Sequence, residues 1–138
     1  MNYSHLNLYT DGGARGNPGP AAAGYIIKTD DGEVVESGRK YLGETTNNQA
    51  EYQGLILGLT RVKELEAESV SIFMDSELII NQLKREYKVK NAELAILFVK
   101  AWNLTLEFKK VSFEHIVRSL NSEADAEVNK ALDLELLK

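Results

Sequence analysis

Both prolines of the chain and four of its ten glycines fall in one run, Gly12-Gly13-Ala14-Arg15-Gly16-Asn17-Pro18-Gly19-Pro20. Proline offers no backbone donor and glycine no side chain to pack, so this run is expected to be a loop. Before it, Leu6, Leu8 and Thr10 alternate with Asn7, Tyr9 and Asp11, the period of a strand. After it, residues 22–29 and 33–42 read as two further strands. Asp30-Asp31-Gly32 joins them as a hairpin turn, with Gly32 supplying the positive φ that a tight turn needs. The first third is therefore predicted to be a three-stranded meander.

The period then changes. Thr46 followed three residues later by Gln49 is a capping-box start, and Tyr52, Leu55, Ile56, Leu59 and Val62 keep a 3.6-residue repeat. Gly54 and Gly58 each cost a helix about 1 kcal/mol relative to alanine, which predicts a helix backbone pressed close against a sheet. Val70, Ile72 and Met74 alternate with Ser71, Phe73 and Asp75 as a fourth strand. Residues 76–85 and 91–104 read as two helices around the charged turn Tyr87-Lys88-Val89-Lys90, and residues 106–116 as a fifth strand. Ser122 opens a last helix whose buried stripe is Val128, Leu132 and Leu136. The order βββαβααβα predicts an α/β fold, a five-stranded mixed sheet with helices on both faces.

At 138 residues the chain is expected to be one domain over 1–138, hiding roughly two-thirds of its unfolded surface. It has no cysteine, which excludes disulfides, a thiolate zinc site and a cysteine nucleophile. The longest apolar run, residues 95–99, is far too short to span a membrane, and residues 1–20 lack a signal-like apolar stretch, so a cytoplasmic protein is expected. A net charge of −5 argues against gripping nucleic acid by bulk charge and leaves that work to local clusters.

Four carboxylates then stand out by position. Asp11 ends the first strand and Asp75 the fourth, at the carboxyl edge where open α/β sheets bind ligands. Glu51 and Asp125 border the buried stripes of the first and last helices and face the same edge. Converging carboxylates raise one another's pKa unless a cation compensates them. With only His5 and His115 as possible nitrogen ligands, the donor set is all oxygen and suits Mg²⁺ or Mn²⁺; two such ions form the clamp for in-line attack of water on a phosphodiester. Each residue also has a structural alternative. Asp11 could open a turn, Asp75-Ser76 could cap a helix, Asp125 could complete a capping box with Ser122, and Glu51 could serve the helix dipole.

These positions carry a resemblance. Tyr9-Thr10-Asp11-Gly12-Gly13-Ala14-Arg15-Gly16-Asn17-Pro18-Gly19-Pro20 resembles the opening motif of ribonuclease H type 1. Thr45-Thr46-Asn47-Asn48-Gln49-Ala50-Glu51, Met74-Asp75-Ser76 and Asn121-Ser122-Glu123-Ala124-Asp125 resemble its second, third and fourth motifs, in order. The resemblance implies a monomeric endonuclease that cuts the RNA strand of RNA/DNA hybrids and leaves 3′-hydroxyl and 5′-phosphate ends. It implies that Asp11 bridges two metal ions, that Glu51 and Asp75 hold the ion at the leaving group, and that Asp125 helps hold the ion generating the attacking hydroxide. It matches Gly12, Gly13, Asn17 and Asn48 to groups that sense the 2′-hydroxyl, and Thr46 and Asn47 to contacts with the DNA strand.

There are departures from the family pattern. Many relatives carry a histidine in the loop before the last aspartate; here Arg118 occupies that loop and is preferred over His115, expected in strand five and half-buried, as the assisting residue. The lysine-rich insertion of some relatives has no room here, and Lys84, Arg85, Lys88 and Lys90 read as a solvated face. Weak, salt-sensitive hybrid binding is expected, with an RNA/RNA duplex as a conceivable second substrate. Glu77 stands where relatives often carry a polar amide, and Trp102 reads as core. The rival functions are a hybrid-binding module without turnover and another nuclease of the same fold, such as a resolvase or exonuclease.

Overall fold

The computed structural model describes residues 3–138. Its elements run β1 (Tyr3–Ala14), β2 (Gly19–Lys28), β3 (Val34–Thr45), α1 (Asn47–Glu64), β4 (Ala67–Met74), α2 (Glu77–Leu83), α3 (Ala92–Thr105), β5 (Lys110–His115), a 3-10 turn (Arg118–Asn121) and α4 (Ser122–Leu136). The sheet order is β3-β2-β1-β4-β5. The first three strands pair antiparallel, while β1–β4 and β4–β5 are parallel. This is the mixed α/β sheet the patterning predicts.

The glycine–proline run is shorter as a loop than expected. Gly12, Gly13 and Ala14 still pair with Ala23, Ala22 and Ala21, so only residues 15–18 leave the ladder. Gly12 continues the strand because α1 lies against it; a Cβ there would meet the carbonyl carbon of Ala50 at 2.2 Å. Gly32 takes φ +89 in the predicted turn. The fifth strand is trimmed to Lys110–His115, because residues 106–109 turn off the end of α3, the N–H groups of Leu106, Glu107 and Phe108 donating back to Asn103, Leu104 and Thr105.

The capping box at Thr46 and Gln49 forms, and α1 buries Tyr52, Leu55, Leu59 and Val62 against the sheet. Full burial of each aliphatic side chain contributes about 1.5–3 kcal/mol. Gly54 and Gly58 have the predicted reason: a Cβ would meet the Asp11 carbonyl oxygen at 2.5 Å and Leu8 Cδ1 at 2.6 Å. Together with α2, α3 and the β4 residues Val70, Ile72 and Met74, this face forms the larger core. The opposite face receives α4, whose Val128, Ala131 and Leu132 pack on Ala22. Gly24 lets α4 approach, since a Cβ there would lie 2.7 Å from Glu127 Cβ. Leu136 does not complete the predicted stripe; it is exposed in the last turn. Trp102 is also not core. It is half-buried, stacked between Phe98 and Phe113, with the Arg85 guanidinium lying over both Phe98 and Trp102.

Candidate active site

The parallel register of β1 and β4 runs to Tyr9 opposite Phe73, so Asp11 and Asp75 follow side by side two residues later. Glu51 arrives from the second turn of α1, where the close approach at Gly12 brings helix and strand together. Carboxylate oxygens of Asp11, Glu51 and Asp75 all lie within 4.8 Å of one another. Asp11 and Glu51 are 7% and 8% exposed, which is unusual for acids that face no lysine or arginine partner. Glu51 is pinned by the Gly12 N–H, which donates to its Oε1 at 2.9 Å. That bond commits the Gly12 N–H to the site's framework.

Asp125 stands at the rim. It lies outside the tight trio yet close enough for its charge to raise the pKa of Asp11. The Nη2 atom of Arg118 is 3.9 Å from its Oδ1, and Asn129 Nδ2 donates to its Oδ2 at 3.4 Å.

Electrostatics follow from this crowding. Burial, then the Asp75 charge, pushes Asp11 up to about 7, against a smaller opposing pull from the Gly12 N–H. Burial also raises Glu51 well above the ordinary glutamate range, with Asp11 and Asp75 adding to it. Asp75 is raised by burial and by Asp125, while hydrogen bonding from Asn121 and the nearby Arg118 and His115 pull it down. The chain thus gathers more negative charge than it can neutralise. An all-oxygen donor set of this size and charge fits a hard divalent cation.

The structural alternatives resolve individually. Ser76, not Asp75, caps α2, accepting from the Ile79 N–H at 3.3 Å. Ser122 and Asp125 form no capping box, because Asn121 occupies the N-cap position. Glu51 lies beyond the first turn of its helix, which holds no acid. Asp11 opens no turn, since it is still paired opposite Gly24 within β1, and so all four carboxylates are left without the structural job named for them.

The site opens into a cleft of about 450 Å³, whose walls include Gly12, Gly13, Asn47, Asn48, Arg118 and Asp125 around the trio. Asn17 and Thr46 line an adjoining polar hollow that Asn48 shares. The two are tied together: Asn47 Oδ1 accepts from the Ala14 N–H at 2.8 Å, and Asn17 Oδ1 accepts from the Asn47 N–H at 3.0 Å. Arg118 is 82% exposed on the 3-10 turn, free to reach a ligand. His115 ends β5 as expected but is exposed rather than half-buried. Glu77 is exposed in the first turn of α2, and Lys84, Arg85, Lys88 and Lys90 are exposed as a solvated face should be.

Sequence reasoning missed two neighbours. Arg15 lines the cleft and pairs with Asp133 at 2.7 Å, strapping the β1–β2 loop to α4. Asn129 sits one helical turn after Asp125 on the same wall, and that four-residue spacing was the available signal.

A family model described as reverse transcriptase-like matches residues 9–131. Ribonuclease HI of Halobacterium salinarum is 38% identical over 128 residues, covering 93% of this chain and 64% of that protein. The chain belongs to the ribonuclease H family. A bifunctional protein of Mycobacterium tuberculosis is 40% identical over 127 residues, covering 91% of this chain; the chain spans only 35% of that relative's length. Among solved structures, LC11-RNase H1 in complex with an RNA/DNA hybrid superposes with a TM-score of 0.90 at 42% identity, covering 95% of this chain and 99% of that one. As a ribonuclease H-family chain, it carries the family's α/β sheet, and its acidic trio occupies the carboxyl edge of the two central parallel strands.

Proposed function

We propose that this chain is an endonuclease that hydrolyses the RNA strand of RNA/DNA hybrids, using two divalent cations and leaving 3′-hydroxyl and 5′-phosphate ends. The observation that carries this reading is the Asp11–Glu51–Asp75 trio, two of them buried, within 4.8 Å, at the floor of a polar cleft in a ribonuclease H-family chain. A binding module would gain nothing from unneutralised negative charge facing phosphates.

Asp11, interacting with all three other acids, is the shared ligand in this proposal. Glu51 and Asp75 complete one cation position and Asp125 the other. Bound there, Mg²⁺ or Mn²⁺ would activate water for in-line attack and stabilise the charge developing on the leaving oxygen. The residues of the chain do the rest. The Gly12 N–H holds Glu51 in one orientation. Gly13 and Asn48 border the cleft where an RNA 2′-hydroxyl would distinguish ribose from deoxyribose. Asn17, Thr46 and Asn47 offer donors for the DNA-strand backbone, the first two from the neighbouring hollow. Arg118 adds an exposed cation at the rim for a phosphate.

The test is an end-labelled RNA/DNA hybrid incubated with Mg²⁺ or Mn²⁺, beside an RNA/RNA duplex and a DNA duplex. Internal cuts confined to the RNA of the hybrid are expected. Ca²⁺ should permit binding with little cutting, because its looser coordination does not hold an in-line geometry. Binding of the hybrid with no cutting in either Mg²⁺ or Mn²⁺ would overturn the reading in favour of a recognition module.

A further inference from the structure

Asn121 breaks a local rule. It occupies the N-cap position of α4, where an asparagine side chain normally accepts a bond from the helix's free N–H groups and stabilises it by about 1 kcal/mol. Here it makes no capping bond. Its side chain instead turns inward and is 1% exposed. Its Nδ2 donates to the carbonyl oxygen of Thr10 at 2.8 Å, across a separation of 111 residues. Thr10 is the residue immediately before Asp11. Asn121 also lies four residues before Asp125 at the helix start.

The arrangement is costly in a second way. Asn121 Oδ1 is buried with no hydrogen-bond partner among the described residues. A buried polar atom left unpaired costs about 1–3 kcal/mol. A residue kept here for stability alone would be apolar, or would cap its helix and leave nothing orphaned. Where local rules are broken without a local gain, function is the usual beneficiary.

We infer that Asn121 is a positioning residue that locks the end of β1 to the start of α4, so that Asp11 and Asp125 are held in one fixed arrangement for cation binding. The inference rests on the proposed reading of the cleft as a divalent-cation site. Asn121 touches neither substrate nor the reacting atoms; it acts through the backbone of Thr10, next to Asp11, and through the start of α4, which carries Asp125. Side chains that orient metal ligands typically change metal affinity or activity by roughly 10–100-fold when removed.

The experiment is calorimetric titration of the whole chain with Mg²⁺, together with its melting temperature and the kcat and KM for a hybrid. The parent, Asn121→Ala, Asn121→Ser and Ser122→Ala are compared, the last altering the same exposed helix start without reaching the site. Asn121→Ala should weaken Mg²⁺ binding and lower kcat by roughly 10–100-fold, with KM for the hybrid little changed. Asn121→Ser keeps one donor and should fall between alanine and the parent, whereas Ser122→Ala should match the parent. A purely structural Asn121 would lower the melting temperature alone; Asn121→Ala binding Mg²⁺ within about twofold of the parent overturns the inference. Should Asn121→Ala not fold, the parent still decides by nuclear magnetic resonance. The Asn121 side-chain NH₂ protons should exchange slowly with solvent and shift on Mg²⁺ addition, and rapid exchange with no shift would overturn it. Absence of Mg²⁺ binding by the parent would instead defeat the functional reading itself.

Discussion

Two carboxylate settings in this molecule are opposites. On β3, Glu36 is half-buried and fully matched: Arg61 of α1 donates from Nε to Oε2 at 2.7 Å and from Nη2 to Oε1 at 2.8 Å, and the Tyr25 hydroxyl donates to Oε2 at 2.6 Å. The Arg61 bonds hold its pKa below the ordinary value. At the carboxyl edge of β1 and β4, Asp11 and Glu51 are buried more deeply, Asp75 is half-buried, and the three share no such arginine, so their pKa values rise. Where the chain needs a carboxylate for structure, it supplies the cation itself. Where it leaves acids crowded and uncompensated, the missing charge is to come from outside. That cost in stability is characteristic of a site.

The largest contrast is in activity. Asp75→Asn should abolish hybrid cleavage while the metal-free protein melts at or above the parent temperature, because one of several repelling charges is gone. Retention of most activity in a cleavage assay would remove Asp75 from the site. Glu36→Gln should do the reverse. It should lose about 1–2 kcal/mol in urea unfolding, the range for partly screened bonds to a charged group, and leave cleavage unchanged. A loss of cleavage as deep as that of Asp75→Asn would erase the distinction between the two settings.

The pH dependence sharpens the contrast with opposite signs. Asp11, raised from 3.8 to about 7, keeps its proton in the folded protein where the unfolded chain has lost it. Its burial therefore penalises the metal-free protein increasingly as pH rises through that window. Glu36, lowered from 4.5, contributes stability above that value that is lost as pH falls through its folded pKa. Metal-free melting should thus fall between about pH 5.5 and about pH 8, and saturating Mg²⁺ should flatten the slope; a rise without metal would contradict the assignment. The smallest effect is that of Tyr25→Phe, about 1 kcal/mol in the same unfolding experiment with unaltered cleavage.

Much of this was legible in the sequence because the signals were local. The two periods of the apolar residues gave the element order, Thr46 and Gln49 marked the start of α1, and Gly54 and Gly58 announced the close approach to β1. Asp11 and Asp75 could be paired on paper because strand ends and parallel register are short-range properties. What stayed hidden depended on partners far apart in the chain. The pairing of Gly12–Ala14 with Ala21–Ala23 extends both strands into a run that composition reads as loop. Trp102 leaves the core because Phe98, Phe113 and Arg85 build a stack on the surface. Asn121 looked like one letter of a motif, and its reach to Thr10 across the sheet cannot be read from spacing. Leu136 has the right period but lies past the end of the surface that α4 covers.

The central claim is that the acidic edge is built for cations the chain does not supply. Thermal melting of the parent and Asp75→Asn across a Mg²⁺ titration tests it directly. The account predicts a saturable rise in the parent, about 2.7 kcal/mol of stabilisation at a hundredfold excess over Kd, and little or none in the variant. A parent that does not respond to Mg²⁺ or Mn²⁺, or a variant that responds equally, would contradict it.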